Sequence, residues 1–125
     1  MKDKNPWIEY LEEDRKVLEL LKDSGLFRAI CFHAQQLVEK LLKAILYEQR
    51  KEIPKTHDLI SLYRRSGVRE AIDIGGLRFL SDVYVESRYP PDLGLLPGEV
   101  PDEEDARRAY ELAMEIYEAL KKYIM

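Results

Sequence analysis

Residues 26–51 read LFRAICFHAQQLVEKLLKAILYEQRK, from Leu26 to Lys51, and this stretch decides the fold. With successive residues about 100° apart, Leu26, Phe27, Ile30, Cys31, Ala34, Leu37, Val38, Leu41, Leu42, Ala44 and Ile45 fall on one arc of roughly 160°. The spacing predicts a long helix. An apolar arc that wide exceeds what one neighbour covers, so this helix is expected at the centre, packed against at least two others. Truncating Leu37 or Leu41 to Ala is then expected to cost about 2–5 kcal/mol.

Working outward toward the N-terminus, Ser24-Gly25 supplies a residue tolerant of left-handed backbone that ends a preceding helix. That helix opens at Asn5-Pro6, since Asn caps free amides and Pro suits the first turn, and it runs to about Asp23. Trp7, Tyr10, Leu11, Asp14, Val17, Leu18 and Leu21 recur along it at helical spacing. Toward the C-terminus, Pro54 disfavours helix at Ile53, and Thr56 is expected to cap a short helix from about His57 to Arg65, closed by Ser66-Gly67. A further helix is expected from about Arg69 to Ser87, with Gly75-Gly76 as a kink or a separate short turn. Pro90 and Pro91 stop it, and Pro90 to Pro101 reads as a loop. Asp102 then caps a last helix whose Glu103, Glu104 and Asp105 face the positive end of the helix dipole. Ala106, Ala109, Tyr110, Ala113, Ile116, Tyr117 and Leu120 form its inward stripe. No period-two alternation is long enough for a sheet, so the expected fold is all-α: an antiparallel up-and-down bundle of four main helices plus a short one.

The 125 residues are 46% hydrophobic and 35% charged, a size at which one domain spanning 1–125 is the default. No apolar run approaches the roughly 18 residues that a bilayer span needs, and the first residues lack the apolar stretch of a signal peptide, so a cytoplasmic location away from membranes is the expectation. A single Asn, three Gln and abundant Lys, Arg and Glu give the bias seen in hyperthermophile proteins. Cys31, the sole cysteine, excludes an intrachain disulfide and reads as a small buried hydrophobe. The net charge is −4, yet residues 40–69 hold eight Lys or Arg against three acids, a local +5. Such a zone suits phosphate or an acidic partner, and equally a plain solvated surface.

Metal chemistry is unsupported, because the two histidines stand 24 positions apart (57 − 33) and no His-x-x-x-His or Cys-x-x-Cys spacing occurs. No glycine-rich phosphate loop is present either, and no cofactor is implied. Three features remain. Phe32, Gln36, Glu39, Lys40 and Lys43 share the side of the central helix opposite its apolar arc, and Phe32 there needs a cover: a second subunit, a ligand base, or the short third helix. In the first case Phe32, Gln36 and Lys40 line a dimer interface. Lys55-Thr56-His57-Asp58 gathers a cation, a hydroxyl and an imidazole at a helix start, which suits an anion, although capping by Thr56 and packing of His57 account for them without a ligand. Ser87-Arg88-Tyr89-Pro90-Pro91 places Arg88 beside Tyr89 at a fixed corner, suited to phosphate and base or to an internal ion pair.

Taken in order, Phe32-His33-Ala34-Gln35-Gln36-Leu37-Val38-Glu39-Lys40-Leu41-Leu42-Lys43-Ala44, then Lys55-Thr56-His57-Asp58-Leu59, then Ser87-Arg88-Tyr89-Pro90 resembles the prokaryotic pattern of the HEPN family, the higher eukaryotes and prokaryotes nucleotide-binding domain. The resemblance spans the chain. It implies a four- or five-helix bundle that pairs into a homodimer with a groove at the interface, acting beside a small nucleotidyltransferase as a toxin–antitoxin pair, or cleaving RNA without metal. The residues it points to for a nucleotide or RNA phosphate are Arg88, Tyr89, Lys55, His57 and Lys43, with Arg88, His57 and Tyr89 as candidates for catalysis. RNA-cleaving members are similar in carrying Arg and then His with four to six residues between them. Here Leu93, Gly94 and Leu95 stand where that His would fall after Arg88, and no histidine occurs downstream. Arg28 with His33 lies inside the central helix, and Arg50 with His57 straddles Pro54, so neither pair stands where the resemblance places it.

Overall fold

The computed structural model describes residues 4–88 and 100–125. These contain five helices and no strand: α1 (Pro6–Leu21), α2 (Phe27–Glu48), α3 (Leu59–Ser66), α4 (Ile74–Arg88) and α5 (Glu103–Leu120), followed by a 3-10 turn at Lys121–Tyr123. The described architecture is thus the all-α bundle expected from periodicity. Most of the predicted loop, and Tyr89 with it, lies outside the described residues.

The central element is α2. It contacts all four other helices, and Leu37, Val38, Leu41, Ala44, Ile45 and Leu46 are fully buried on it. Leu11 and Leu18 from α1, Leu59 and Leu62 from α3, Leu77 and Leu80 from α4, and Ala109, Ala113 and Leu120 from α5 complete one core cluster. Cys31 is buried within it. Leu26, expected on the buried arc, instead sits outside the helix as its N-cap and is exposed, because the turn at Gly25 (φ 79°) swings it clear of the core. Tyr10 is likewise exposed; the inward face of α1 carries Leu11, Asp14 and Leu18.

Caps set the boundaries. Asn5 Oδ1 accepts from the Trp7 amide at 3.0 Å while its Nδ2 donates to the Ala44 carbonyl and to Glu48, tying the start of α1 to the end of α2. Asp102 and Asp105 form a reciprocal capping box at α5. At α3 the cap is Asp58, not Thr56: Asp58 Oδ1 accepts from the amides of Ile60 and Ser61, and Thr56 Oγ1 accepts from the Asp58 amide one step earlier. A carboxylate outcompetes a hydroxyl there because the charge also faces the helix dipole.

The fourth helix begins at Ile74, five residues later than expected. The Tyr63 hydroxyl explains the delay: it donates to the Glu70 carbonyl at 2.7 Å and accepts from the Ile72 amide at 3.1 Å, satisfying backbone groups that would otherwise seek a helix. Gly75 and Gly76 lie in the first turn of α4 and make no separate element. A Cβ on Gly76 would stand 3.1 Å from a Leu112 methyl, so this glycine sets how closely α4 approaches α5.

Candidate functional site

Two parallel rows of polar side chains run along α2, and both rows are stabilised by carboxylates withdrawn from water. In one row Gln35, Glu39 and Lys43 are spaced i, i+4, i+8. Lys43 Nζ donates to Glu39 Oε2 at 3.1 Å, and Gln35 Nε2 donates to Glu39 Oε1 at 3.1 Å and to the His57 carbonyl at 3.3 Å. His57 Nδ1 lies 2.7 Å from Glu39 Oε1. In the other row stand Phe32, Gln36 and Lys40. Lys40 Nζ donates to Asp14 Oδ2 at 2.7 Å, and His33 Nδ1 lies 2.8 Å from Asp14 Oδ1. Gln36 Nε2 joins the rows by donating to Gln35 Oε1.

The two arrangements are alike. Each places one buried carboxylate between a lysine and an imidazole: the side chains of Asp14 and Glu39 are 7% and 5% exposed, whereas that of His57 is 60% exposed. An ionised carboxylate only accepts, so each imidazole carries its hydrogen on Nδ1 and leaves Nε2 uncommitted toward the surface. Burying two carboxylates is costly unless every lone pair finds a donor, and here the lysines and the amide of Gln35 supply them.

Aromatic rings frame this face. The Phe32 ring stacks on Tyr84 of α4 at 5.6 Å between centroids and meets His33 edge-on at 5.1 Å, while the His57 ring lies tilted against Tyr84 at 5.3 Å. Lys43 stands 5.5 Å from the centre of the Trp7 ring, and Lys40 6.0 Å from that of Tyr10. The cover for Phe32 within the chain is therefore α4, rather than the short third helix. The ring remains half-buried, so part of it still faces outward.

The residues singled out in the sequence separate into groups. His57, Lys43, Lys40, Phe32 and Gln36 come together on this face. Lys43, however, is buried and committed to Glu39 and Trp7, which removes it as a free cation for a phosphate. Lys55 is exposed in the connection before α3 and forms no ion pair among the described residues. Arg88 is the last residue of α4, one turn beyond Tyr84, and Tyr89 lies outside the described residues. Neither stray Arg–His pairing forms a bond: His33 turns to Asp14 and His57 to Glu39. Among the described residues no cluster of His, Cys, Asp or Glu suits a metal ion.

Reading by sequence missed Asp14, Gln35, Glu39 as a paired carboxylate, and Tyr84. The signal was present for two of them. Asp14 interrupts an otherwise apolar stripe on α1, and the Gln35-Glu39-Lys43 ladder repeats every helical turn on the one helix that packs against all the others.

A separate cleft of about 540 Å³ opens at the α1–α2 turn, lined by Lys22, Asp23, Phe27, Arg107 and Tyr110. It contains no imidazole and lies away from the polar rows.

The profile of the HEPN domain family matches residues 5–123, which includes every helix and both polar rows. The chain belongs to the HEPN domain family. Among solved structures, the HEPN fold recurs in ST0689, described as an archaeal HEPN homologue, which is 29% identical over 100% of both chains with a TM-score of 0.73. TT1696 from Thermus thermophilus shares the fold at 23% identity and a TM-score of 0.72, over 96% of this chain and 99% of that one. Comparison with curated proteins gives no significant match. No described helix of this HEPN domain is long and apolar enough to cross a membrane.

Proposed function

We propose that this HEPN domain is a binding module: a homodimer joined through the outer face of α2, acting with a small nucleotidyltransferase in a toxin–antitoxin arrangement and holding a nucleotide or RNA phosphate beside that interface. The observation that carries the reading is the electrical balance of the face. Asp14 cancels Lys40 and Glu39 cancels Lys43, so the two lysine–carboxylate pairs sum to zero while Phe32, Tyr10, Trp7, His33 and His57 present rings at the surface. Neutralised charge and aromatic enrichment are the composition of the centre of a protein interface. A two-fold axis across α2 would set Phe32, Gln36 and Lys40 against their own copies. Phosphate contact is assigned to His57 and Lys55 and to Arg88, the last residue of α4, together with Tyr89, the next residue in the sequence.

The test is the mass in solution. Light scattering is expected to give a dimer for the natural chain and a monomer for Phe32→Glu. A monomer in both removes the interface. At low salt, Lys55→Ala and Arg88→Ala are expected to weaken binding of a nucleoside triphosphate and to leave the mass unchanged; unaltered binding in both variants removes the phosphate assignment.

One observation favours a second reading, metal-independent RNA cleavage. A surface imidazole whose Nδ1 is held by a buried carboxylate is the usual arrangement for proton transfer through Nε2, and His57 on Glu39 has it. That reading expects growth arrest on expression that His57→Ala abolishes, and arrest that persists in His57→Ala defeats it.

A further inference from the structure

The end of the bundle where α2 and α3 terminate gathers cations that no described residue neutralises. Gln49 Nε2 donates to the Ser66 carbonyl at 2.7 Å and Lys51 Nζ to the Arg65 carbonyl at 2.7 Å, so the residues following α2 lie against the end of α3. The Arg69 amide is tied to the Tyr123 hydroxyl at 3.4 Å, which brings the following segment to the same end. Arg50, Lys51, Arg64, Arg65 and Arg69 are all exposed there, and none forms an ion pair with a described residue. Some of the nearby acids are spoken for. Glu70 holds Tyr123 and Lys122, and Glu118 holds Lys121, whereas Glu48, which accepts only from the neutral Asn5 amide, and Glu52 are the two acids there with no cationic partner among the described residues, against five cations.

Cations at helix C-termini complement the dipole, and Lys51 does so directly. That explanation covers the charge of Arg50, which follows the C-cap of α2, but not its backbone. Its φ of 57° makes it the sole non-glycine in left-handed backbone among the described residues, at a position where glycine carries no steric penalty. An arginine is kept where it strains the backbone, beside four like charges, on a protein of net charge −4. We infer that this end of the bundle is a docking surface for the phosphodiester backbone of a nucleic-acid strand. Four of the five cations are arginines, whose planar fork matches phosphate oxygens. A protein partner fits poorly, since the exposed large apolar side chains lie on other elements apart from Met125 at the chain end.

This surface is distinct from the face of α2 and does not depend on the reading given for it. The experiment uses the full chain and a labelled oligothymidylate of about 20 nucleotides, with polyglutamate as the acidic-polypeptide probe. Binding is expected to fall with salt on a log–log slope of about −3.5 for five phosphate contacts, and of about −2 once Arg64→Gln/Arg65→Gln removes two, with an affinity loss of about tenfold. Arg50→Gly is expected to weaken binding while raising the melting temperature by roughly 2–5 °C, opposite signs that a purely structural arginine does not produce. Arg64→Gln/Arg65→Gln is expected to leave nucleoside triphosphate binding unchanged, whereas Lys55→Ala and Arg88→Ala weaken it, which separates this surface from the phosphate assignment above. The inference is overturned if the natural chain does not bind the oligonucleotide at low salt, if the double variant binds equally well, or if polyglutamate binds as tightly.

Discussion

Asp14 shows how much one side chain can organise. Its two oxygens hold His33 and Lys40 on the neighbouring helix, and its position among Leu11 and Leu18 withdraws it from water. Replacing Asp14 by Ala strands a lysine at the edge of the core, so urea unfolding of Asp14→Ala is expected to show a loss of about 2–4 kcal/mol, and Lys40→Met, which keeps the packing stem but leaves the more buried carboxylate a donor short, is expected to cost at least as much. Tyr117 carries the corresponding argument in alkali. Burial first, and then its hydrogen bond to Glu12 at 2.7 Å, push its hydroxyl up to about 12. Glu12 is subject to the same burial, but bonds from Tyr117 and Arg15 outweigh it and hold the carboxyl below its ordinary value. A raised folded pKa for an acid means stability fully present below the ordinary tyrosine value of 10.0 and lost as pH rises through about 12. Tyr117→Phe is therefore expected to be less stable than the natural chain at pH 8 and to converge with it as pH rises from 10 through about 12, read as melting temperature against pH. The acid limb belongs to Glu70, which Lys122 and Tyr123 hold at about 2, so its contribution is present above the ordinary carboxylate value and fades as pH falls toward 2.

At the scale of elements, two glycines stand in left-handed backbone, and only one of them caps a helix. Gly67 (φ 60°) caps α3 with its amide bonded to the Arg64 carbonyl, while Gly25 (φ 79°) turns the chain between α1 and α2 in open space. Gly67→Ala is expected to cost about 1 kcal/mol, and Gly25→Ala a similar amount from backbone alone, because no atom lies within 4 Å of an added Cβ there. A much larger loss at Gly25 in thermal melts would show that this turn is packed more tightly than the structure has it. The helices themselves were legible in the sequence because their signals are local. The period of α2, Asn5-Pro6, Ser66-Gly67 and Asp102 each act within a few residues of where they stand. The start of α4 was not legible, since the Tyr63 hydroxyl that postpones it comes from another helix. The site was half-legible for the same reason. Phe32, Gln36, Lys40 and His57 can be picked out on one helix face or one turn, but the partners that give them meaning, Asp14 across to α1 and Tyr84 across to α4, are apparent only when the helices are packed.

For the molecule as a whole, the proposed pairing through α2 would link assembly to stability. A dimer of standard size buries about 800 Å² on each copy, and that burial exists only in the folded state, so folding and pairing share one equilibrium. Unfolding a dimer of two such chains releases an entropy in proportion to twice the chain length, from which a tenfold rise in protein concentration is expected to raise the melting temperature by about 2–3 °C. In Phe32→Glu the midpoint is expected to lose its concentration dependence and fall to a single value. Gln36→Glu makes the finer distinction. The proposed two-fold axis would set this position near its own copy, so one substitution would introduce two like charges across the interface, whereas on an isolated chain it adds a single carboxylate beside Lys40. A midpoint that drops at high concentration and converges with that of the natural chain at low concentration identifies pairing through α2, and a midpoint independent of concentration in the natural chain excludes it.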